Sequence, residues 1–338
     1  MKKIIVCLLA LLMTASCVIS ITGCAEKESF SLPSRSRTDE PLKMSASYEY
    51  GLYDDGCAII IAYTGSEREV TIPDSIDGHT VVAIGDSAFA QNTAVTKVSL
   101  NKSLEMIESY AFYACSSLTD IDFDNSLWHI GAAAFERTPW LSSRTEDFVI
   151  VGNGILLKYQ GSAHKVTVPE NVRHISYAFS MNENIVFVDM GNSVLTVGDS
   201  AFSFCPNLRE VKLGENVISI GNGAFENCEA LVRVNLPDSL LKIGNGAFNL
   251  CIYLNDIHIG GSVTEIGESA FNECQRLKVV TLPASVKKIG VNAFENCFSL
   301  LLVFYKGTEE EFNSVEIEGV LNYHLRDAKK IFEPVEGQ

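Results

Sequence analysis

The sequence is short of positive charge, of catalytic signatures and of long apolar runs, and each shortage excludes a class of function. Lysine and arginine number 26 against 42 aspartates and glutamates. Lys2 and Lys3 are the only charged side chains among the first 23 residues, so positions 24–338 hold 24 basic and all 42 acidic groups, a net of −18. Nucleic-acid phosphates are bound through clustered lysine and arginine, so no nucleic-acid partner is expected. Anionic lipid headgroups are repelled as well, unless the protein is tethered covalently. There is no Gly-x-Ser-x-Gly elbow, no Walker loop and no Rossmann glycine fingerprint. Neither Cys-x-x-Cys nor His-Glu-x-x-His spacing occurs, so no metal, cofactor or enzymatic activity is expected. His79, His129, His164, His174, His258 and His324 are scattered and are expected to be solvated or in turns.

The one long apolar run extends from Ile4 to Val18, behind Lys2 and Lys3, and reads as a targeting segment over residues 1–23. It leads to Ile21-Thr22-Gly23-Cys24, an aliphatic-small-small-Cys pattern that resembles the lipobox of bacterial lipoproteins. That resemblance implies cleavage behind Gly23 and lipidation of Cys24. Two or more acyl chains there would hold the protein stably at a membrane without a spanning helix. Ala15-Ser16-Cys17 is a poorer match, with Thr14 where an aliphatic residue belongs. Residues 24–47 are polar, with Pro33, Pro41 and several serines, and are expected to form a flexible tether.

What the chain has in abundance is repetition. Ala-Phe recurs with Phe at 89, 112, 135, 179, 202, 225, 248, 271 and 294, every 23 residues except for a 44-residue step from Phe135 to Phe179. Six residues after each Phe stands an aliphatic, as at Val95, Leu118 and Leu231. Nine residues after it stands Val or Ile, with Arg144 the one exception. Leu often follows at the eleventh place, as at Leu213 and Leu236, and then Gly or Pro. Apolar residues alternating with polar ones mark a strand with one buried face. A second apolar pair, such as Leu240 and Ile243, leads into glycine at 85, 131, 198, 221, 244, 267 and 290. Glycine at a fixed register implies a positive φ or a close backbone approach. Gly-x-x-Ala-Phe-x-x-Cys fits one short helical turn, with Phe and Cys on its inward face. A single unit cannot bury its Phe and Leu, but stacked units cover one another. The expected result is parallel strands about 4.8 Å apart and nine rings on one dry spine.

The unit Ile-Gly-x-x-Ala-Phe-x-x-Cys-x-x-Leu-x-x-Val-x-Leu-Pro stands at 220–237 and again at 266–283. It resembles the BspA-like (Treponema-type) leucine-rich repeat, and the resemblance covers roughly residues 48–330. Two departures occur: Glu108 replaces the glycine, and Ile175-Ser176 sits one residue too close to Phe179, implying a deletion. The expected fold is a mostly-β α/β repeat solenoid of 23-residue coils over residues 81–304. It has a parallel sheet on one face, short helical turns, a hairpin-type cap coil at 48–80 and a helical cap at 305–338. The family resemblance implies adhesion to host matrix proteins or to other bacteria.

The 44-residue step contains a second copy of the N-terminal cap. Tyr63-Thr64-Gly65-Ser66 leading to Val70-Thr71-Ile72-Pro73 matches Tyr159-Gln160-Gly161-Ser162 leading to Val166-Thr167-Val168-Pro169. Ahead of the second copy, Phe148–Val151 and Ile155-Leu156-Leu157 read as a hairpin around Gly152-Asn153-Gly154. Residues 138–170 are thus expected as an inserted hairpin coil that keeps the stack continuous, with a domain break as the alternative. Near the end, Thr308-x-x-Glu311 has capping-box spacing, and residues 320–330 suggest another short helix.

Cys115, Cys205, Cys228, Cys251, Cys274 and Cys297 each lie three residues after a repeat Phe, where the other repeats have Asn92, Thr138 and Asn182. Small, weakly polar side chains at one register suggest a ladder bonded to the neighbouring coil's backbone. A disulfide ladder is disfavoured, because Cys205 to Cys297 is a run of five and Cys115 has no neighbour in it. Function is expected on the outward strand positions, eight and ten residues after each Phe. These give Lys97, Asp120, Asp122, Phe187, Asp189, Glu210, Lys212, Arg233, Asn235, Asp256 and His258 as a candidate ligand-binding face, with Phe187 as an aromatic anchor. The expected protein is anchored at the bacterial cell surface through Cys24 and binds a protein or glycan on host or bacterial surfaces. A structural component of the envelope is the alternative.

Overall fold

The computed structural model describes residues 35–123 and 126–333; the leader, Cys24 and part of the expected tether lie outside them. From Arg37 onward the chain belongs to one compact unit. Each 23-residue repeat forms one coil with three sides, and every side is joined to the next coil by its own hydrogen bonds.

On the first side run short strands such as Glu210–Lys212 and Arg233–Asn235, paired in parallel with residue i opposite residue i+23. On the second side run two-residue strands, as where Ser219 and Ile220 pair with Lys242 and Ile243. This narrower ladder, from the glycine-leading pair, accompanies the sheet anticipated from the L-x-x-V-x-L strand. The third side is the Ala-Phe turn. Phe225 N donates to Ala247 O at 2.8 Å and Phe248 N to Ala270 O at 2.7 Å.

That turn is tighter than a helical one. Bonds reach back three residues, as from Cys228 N to Phe225 O. Left-handed residues flank the Phe, Gly223 and Asn227 at φ 56° each, Gly246 at 61° and Leu250 at 62°. A left-handed residue on either side stops a helix from propagating. The fixed-register glycines serve the second of their two possible purposes. A Cβ on Gly244 would lie 2.5 Å from Gly221 C, so the coils could not approach as they do.

The repeat phenylalanines are buried throughout, each contributing roughly 1.5–3 kcal/mol. They form two columns rather than one spine. Phe179 to Phe294 stack with ring centroids 4.6–5.2 Å apart. Phe89, Phe112 and Phe135 make the other column, at 4.8 and 5.3 Å. A tyrosine leads each: Tyr63 lies 4.8 Å from Phe89 and Tyr159 lies 5.1 Å from Phe179.

The break follows from the inserted hairpin, which repeats the N-terminal cap. Tyr48–Leu52 pairs antiparallel with Ala58–Tyr63, and Phe148–Val151 pairs antiparallel with Ile155–Tyr159. Register shifts fall at equivalent places, between Glu49 and Tyr50 and between Val149 and Ile150. Tyr63 N donates to Ala88 O, and Tyr159 N to Ala178 O, both at 2.9 Å. The strand Ile155–Tyr159 serves both columns: Ile155 and Leu157 enter the first core, Leu156 and Tyr159 the second. Just before the hairpin, Thr138 caps the short helix Pro139–Ser142, and Trp140 closes the first column 5.3 Å from Phe135.

Each end adds a strand to the expected layout. Lys43–Ser45, within the stretch expected as tether, is a strand paired with Tyr48 to Tyr50, so ordered pairing begins earlier. At the other end the capping box of Thr308 and Glu311 starts the helix Glu309–Asn313, and Tyr323–Asp327 forms a second short helix. Beyond it Lys329–Phe332 pairs in parallel with Leu302 to Tyr305, a last coil that has no repeat Phe.

Candidate functional site

The outward strand positions point away from the core, as their spacing requires: Val211, Val234 and Ile257 are buried between neighbours that are not. Asp120, Asp122, Lys212, Arg233, Asn235, Asp256 and His258 are exposed, whereas Lys97, Phe187, Asp189 and Glu210 are half-buried. They do not lie on one continuous sheet. Lys97, Asp120 and Asp122 belong to a three-stranded sheet that ends at the inserted hairpin. Phe187, Asp189, Glu210, Lys212, Arg233 and Asn235 share a four-stranded sheet, and Asp256 and His258 begin a third.

Much of the charge is already paired. Lys97 Nζ lies 2.9 Å from Asp120 and 3.6 Å from Asp122, and its hydrogen bond to Asp120 raises its pKa. Lys212 Nζ reaches Asp189 at 2.9 Å, and that bond holds the carboxyl below its ordinary value. Such exposed pairs add little to stability, because water and salt screen them. Their main effect is to fix side-chain positions across adjacent strands. Glu210 and Arg233 are in register but form no ion pair.

Beyond His258 the same columns change character. Val279, Thr281, Leu302, Phe304 and Ile331 occupy outward positions of the third sheet, and a groove of about 450 Å³ lies among His258, Thr281, Phe304, Lys306, Ile331, Phe332 and Glu333. Of this lining, His258 and Thr281 follow from the repeat spacing as outward positions. Phe304 is ten residues after Phe294 and was reachable by counting; Ile331 belongs to the coil without a repeat Phe, so no spacing pointed to it. His258 Nε2 lies 3.3 Å from Lys306 Nζ. Burial, and then the Lys306 charge, hold the His258 pKa below its ordinary value.

A second concavity, of about 510 Å³, lies on the turn side among Asp199, Asn222, Asn245 and Glu268. Its polar groups are committed to the solenoid itself: Asp199 Oδ1 accepts from Asn222 N, Asn222 Oδ1 from Asn245 N, and Asn245 Oδ1 from Glu268 N, at 2.6–2.9 Å.

The cysteine ladder is structural. Each of the six thiols donates to the carbonyl of the Phe 26 residues earlier, from Cys115 to Phe89 O at 3.0 Å to Cys297 to Phe271 O at 3.2 Å. None forms a disulfide. Burial pushes the Cys115 thiol up to about 11 and the Cys297 thiol up to about 12, far from a reactive thiolate. The other three members of the register behave differently from the expected ladder. Asn92 and Asn182 stand in the first coil of each column, where no repeat Phe precedes them, and accept from backbone N–H groups of their own turns. Thr138 caps its helix instead.

Two histidines also depart from expectation. His174 is buried, its Nδ1 2.9 Å from Thr196 Oγ1, and burial lowers its pKa to about 4. Burial likewise lowers that of His129. Among the described residues no group of three or more His, Cys, Asp or Glu side chains could hold a metal ion. Among them, too, no helix is long and apolar enough to cross a membrane.

The profile of the family described as "BspA type Leucine rich repeat region" matches six copies on this chain, over residues 63–150, 82–209 and 175–301. No curated protein matches it. Among solved structures, a leucine-rich cell surface protein from Faecalibacterium prausnitzii is similar at 22% identity and a TM-score of 0.41, over 84% of this chain and 100% of that one. The Treponema pallidum leucine-rich repeat protein is similar at 22% identity and 0.32, over 85% and 95%. The pneumococcal vaccine antigen PcpA is similar at 16% identity and 0.37, over 87% and 99%. The matched repeats span most of the chain and coincide with its 23-residue coils: the protein belongs to the BspA type leucine-rich repeat family.

Proposed function

We propose that this is a recognition protein of the bacterial cell surface, tethered through lipid at Cys24, whose outward sheet positions bind a protein or glycan on host or bacterial surfaces. One observation carries the reading. The inward columns are nearly invariant from coil to coil, while the outward ones change charge and size at every step, as from Glu210 to Arg233 to Asp256. A constant frame with a varied face suits a surface selected for a particular partner. Nothing in this reading calls for a cofactor or for catalysis, and family membership supports a binding role. The test is the triple exchange Glu210→Lys, Arg233→Glu and Asp256→Lys, assayed for binding to immobilised host matrix proteins and bacterial surface material. Binding should fall while the circular-dichroism spectrum stays unchanged. A partner that ignores the triple exchange does not use this face.

A further inference from the structure

Gly-Asn-Gly occurs three times in the chain, at 152–154, 221–223 and 244–246, and these hold its only Asn-Gly pairs. In such a pair the main-chain nitrogen of the glycine can attack the side-chain amide of the asparagine, because no Cβ on the glycine blocks the approach. Identical tripeptides react alike in an unfolded chain. The fold makes them different.

Exposure does not separate them, since Asn153, Asn222 and Asn245 are all open to solvent. Bonding does. The attacking nitrogen is held at two of the three sites: Gly223 N donates to Asn245 O at 2.8 Å, and Gly246 N donates to Glu268 O at 2.7 Å. The amides under attack are held as well. Asn222 Oδ1 accepts from Asn245 N at 2.9 Å, its Nδ2 donates to Asp199 Oδ2 at 3.3 Å, and Asn245 Oδ1 accepts from Glu268 N at 2.9 Å. These bonds join one coil to the next, so neither amide turns toward its glycine unless the stack opens locally.

Asn153 stands in the hairpin turn between Phe148–Val151 and Ile155–Tyr159. Among the described residues neither its side chain nor Gly154 N has a hydrogen-bond partner. Gly154 O accepts from Arg173 N at 2.8 Å, but that bond fixes the following peptide and leaves the attacking nitrogen free. Glycines at φ 52° and 80° flank the asparagine, so no neighbouring side chain covers the reacting atoms.

We infer that Asn153 is a site of spontaneous covalent modification, converted through a cyclic imide with Gly154 to aspartate and isoaspartate. Hydroxide removes the proton of Gly154 N; the nitrogen bonds to Asn153 Cγ, and the Cγ–Nδ2 bond breaks with release of ammonia. Water then opens the imide at either carbonyl. The net change is amide plus water to carboxylate plus ammonium, with nothing oxidised or reduced. The product places a negative charge at the hairpin tip, and the isoaspartyl form lengthens the main chain of the turn by a carbon. Ile155–Tyr159, which follows directly, supplies side chains to both cores, so the change falls at the joint between the columns.

The test is incubation of the folded full chain at mildly alkaline pH, followed by peptide mapping with mass spectrometry and chromatographic separation of the aspartyl and isoaspartyl forms. The peptide holding Asn153 should gain the mass of amide-to-acid conversion and split into two species. At least two hydrogen bonds must break first at each of the other sites, so Asn153 should react roughly thirtyfold faster than Asn222 or Asn245. In urea at the same pH the three should react at a common rate. Asn153→Gln, which would have to close a larger ring, should silence the site. Equal rates at the three sites in the folded chain overturn the proposal, as does conversion of Asn222 or Asn245 ahead of Asn153. A rate difference that survives in urea overturns its structural cause. Conversion of Asn153 without any isoaspartate refutes the imide, because direct hydrolysis of the amide gives aspartate alone.

Discussion

The column from Phe89 to Phe135 has three rings and the column from Phe179 to Phe294 has six, yet both are built from one repeat and begin with one cap. They differ in how they stop. The short column stops at Trp140 and a capped single-turn helix. The long one stops where Asn322 takes the place of a further coil. Asn322 is fully buried; its Oδ1 accepts from Phe294 N at 2.9 Å, the bond that Ala O of the next coil makes elsewhere, and its Nδ2 donates to Gly290 O and Glu318 O. In a solenoid each coil needs only its neighbours. The comparison shows that single side chains can stand in for a missing neighbour at a column's end: Thr138 donates to Phe135 O, as the next coil's Cys does elsewhere, and Asn322 accepts from Phe294 N.

The largest test of the comparison is ring removal in each column. Phe225→Ala and Phe112→Ala each delete a fully buried ring with a ring on either side, and each should cost about 3–5 kcal/mol. Because Ile155–Tyr159 places side chains in both cores, both variants should still melt in one transition by calorimetry. A second transition appearing only in Phe112→Ala would mean that the short column folds by itself. An unchanged melting curve for Phe225→Ala would contradict the stacking.

The next effect belongs to the ladder beside the hairpin. His174 is buried and faces His129 and Arg173, whose charges also oppose its protonation. Trp128 lies 6.5 Å away, and Asp199 and Glu108 act on the neighbouring His129 in the opposite sense. The folded pKa of His174 is about 4 against an ordinary 6.5, so the folded state prefers the neutral ring. Its contribution is complete above pH 6.5 and is lost as pH falls from there to about 4, a total of about 3 kcal/mol. Urea unfolding across that window should show a shallower pH dependence in His174→Gln than in the native chain. Parallel slopes would mean that His174 titrates normally in the folded protein.

The repeat and both hairpins were legible because they reuse letters at a fixed distance, and a fixed distance along a chain of identical coils is a fixed place in space. Tyr63 and Tyr159 were visible as a matched pair, but not as the leading rings of two columns, because no Ala-Phe marks them. Asn92 and Asn182 read as ordinary members of the cysteine register. Their different bonding depends on what the preceding coil lacks, which a single register does not display. The outward residues were legible as outward, since strand alternation fixes that. The groove as a whole was not, because part of it comes from Ile331 and Phe332, in a coil that carries no repeat Phe. The histidine pair escaped for the same reason: His129 and His174 are 45 positions apart, and the 44-residue step hid their proximity.

The smallest effect tests the seam itself. Ser176 occupies the register that is glycine in most other coils, and its buried hydroxyl donates to Ile130 O at 2.6 Å. Ile130 lies on the last strand of the first narrow sheet, whose path ends there, and Ser176 N meanwhile donates to Leu156 O on the hairpin. The serine thus bonds both flanking strands at once, so the one-residue deletion before Phe179 has a counterpart in space: the shortened turn carries the link between the stacks. Ser176→Ala leaves a buried carbonyl without this donor and should cost about 1–3 kcal/mol. Hydrogen exchange should rise first at Ile130 and Gly131 rather than in the middle of either column. Ser176→Thr, which keeps a hydroxyl, should recover part of the loss. Equal stability in Ser176→Ala, or faster exchange spread evenly over all coils, would mean that the hairpin alone joins the two columns.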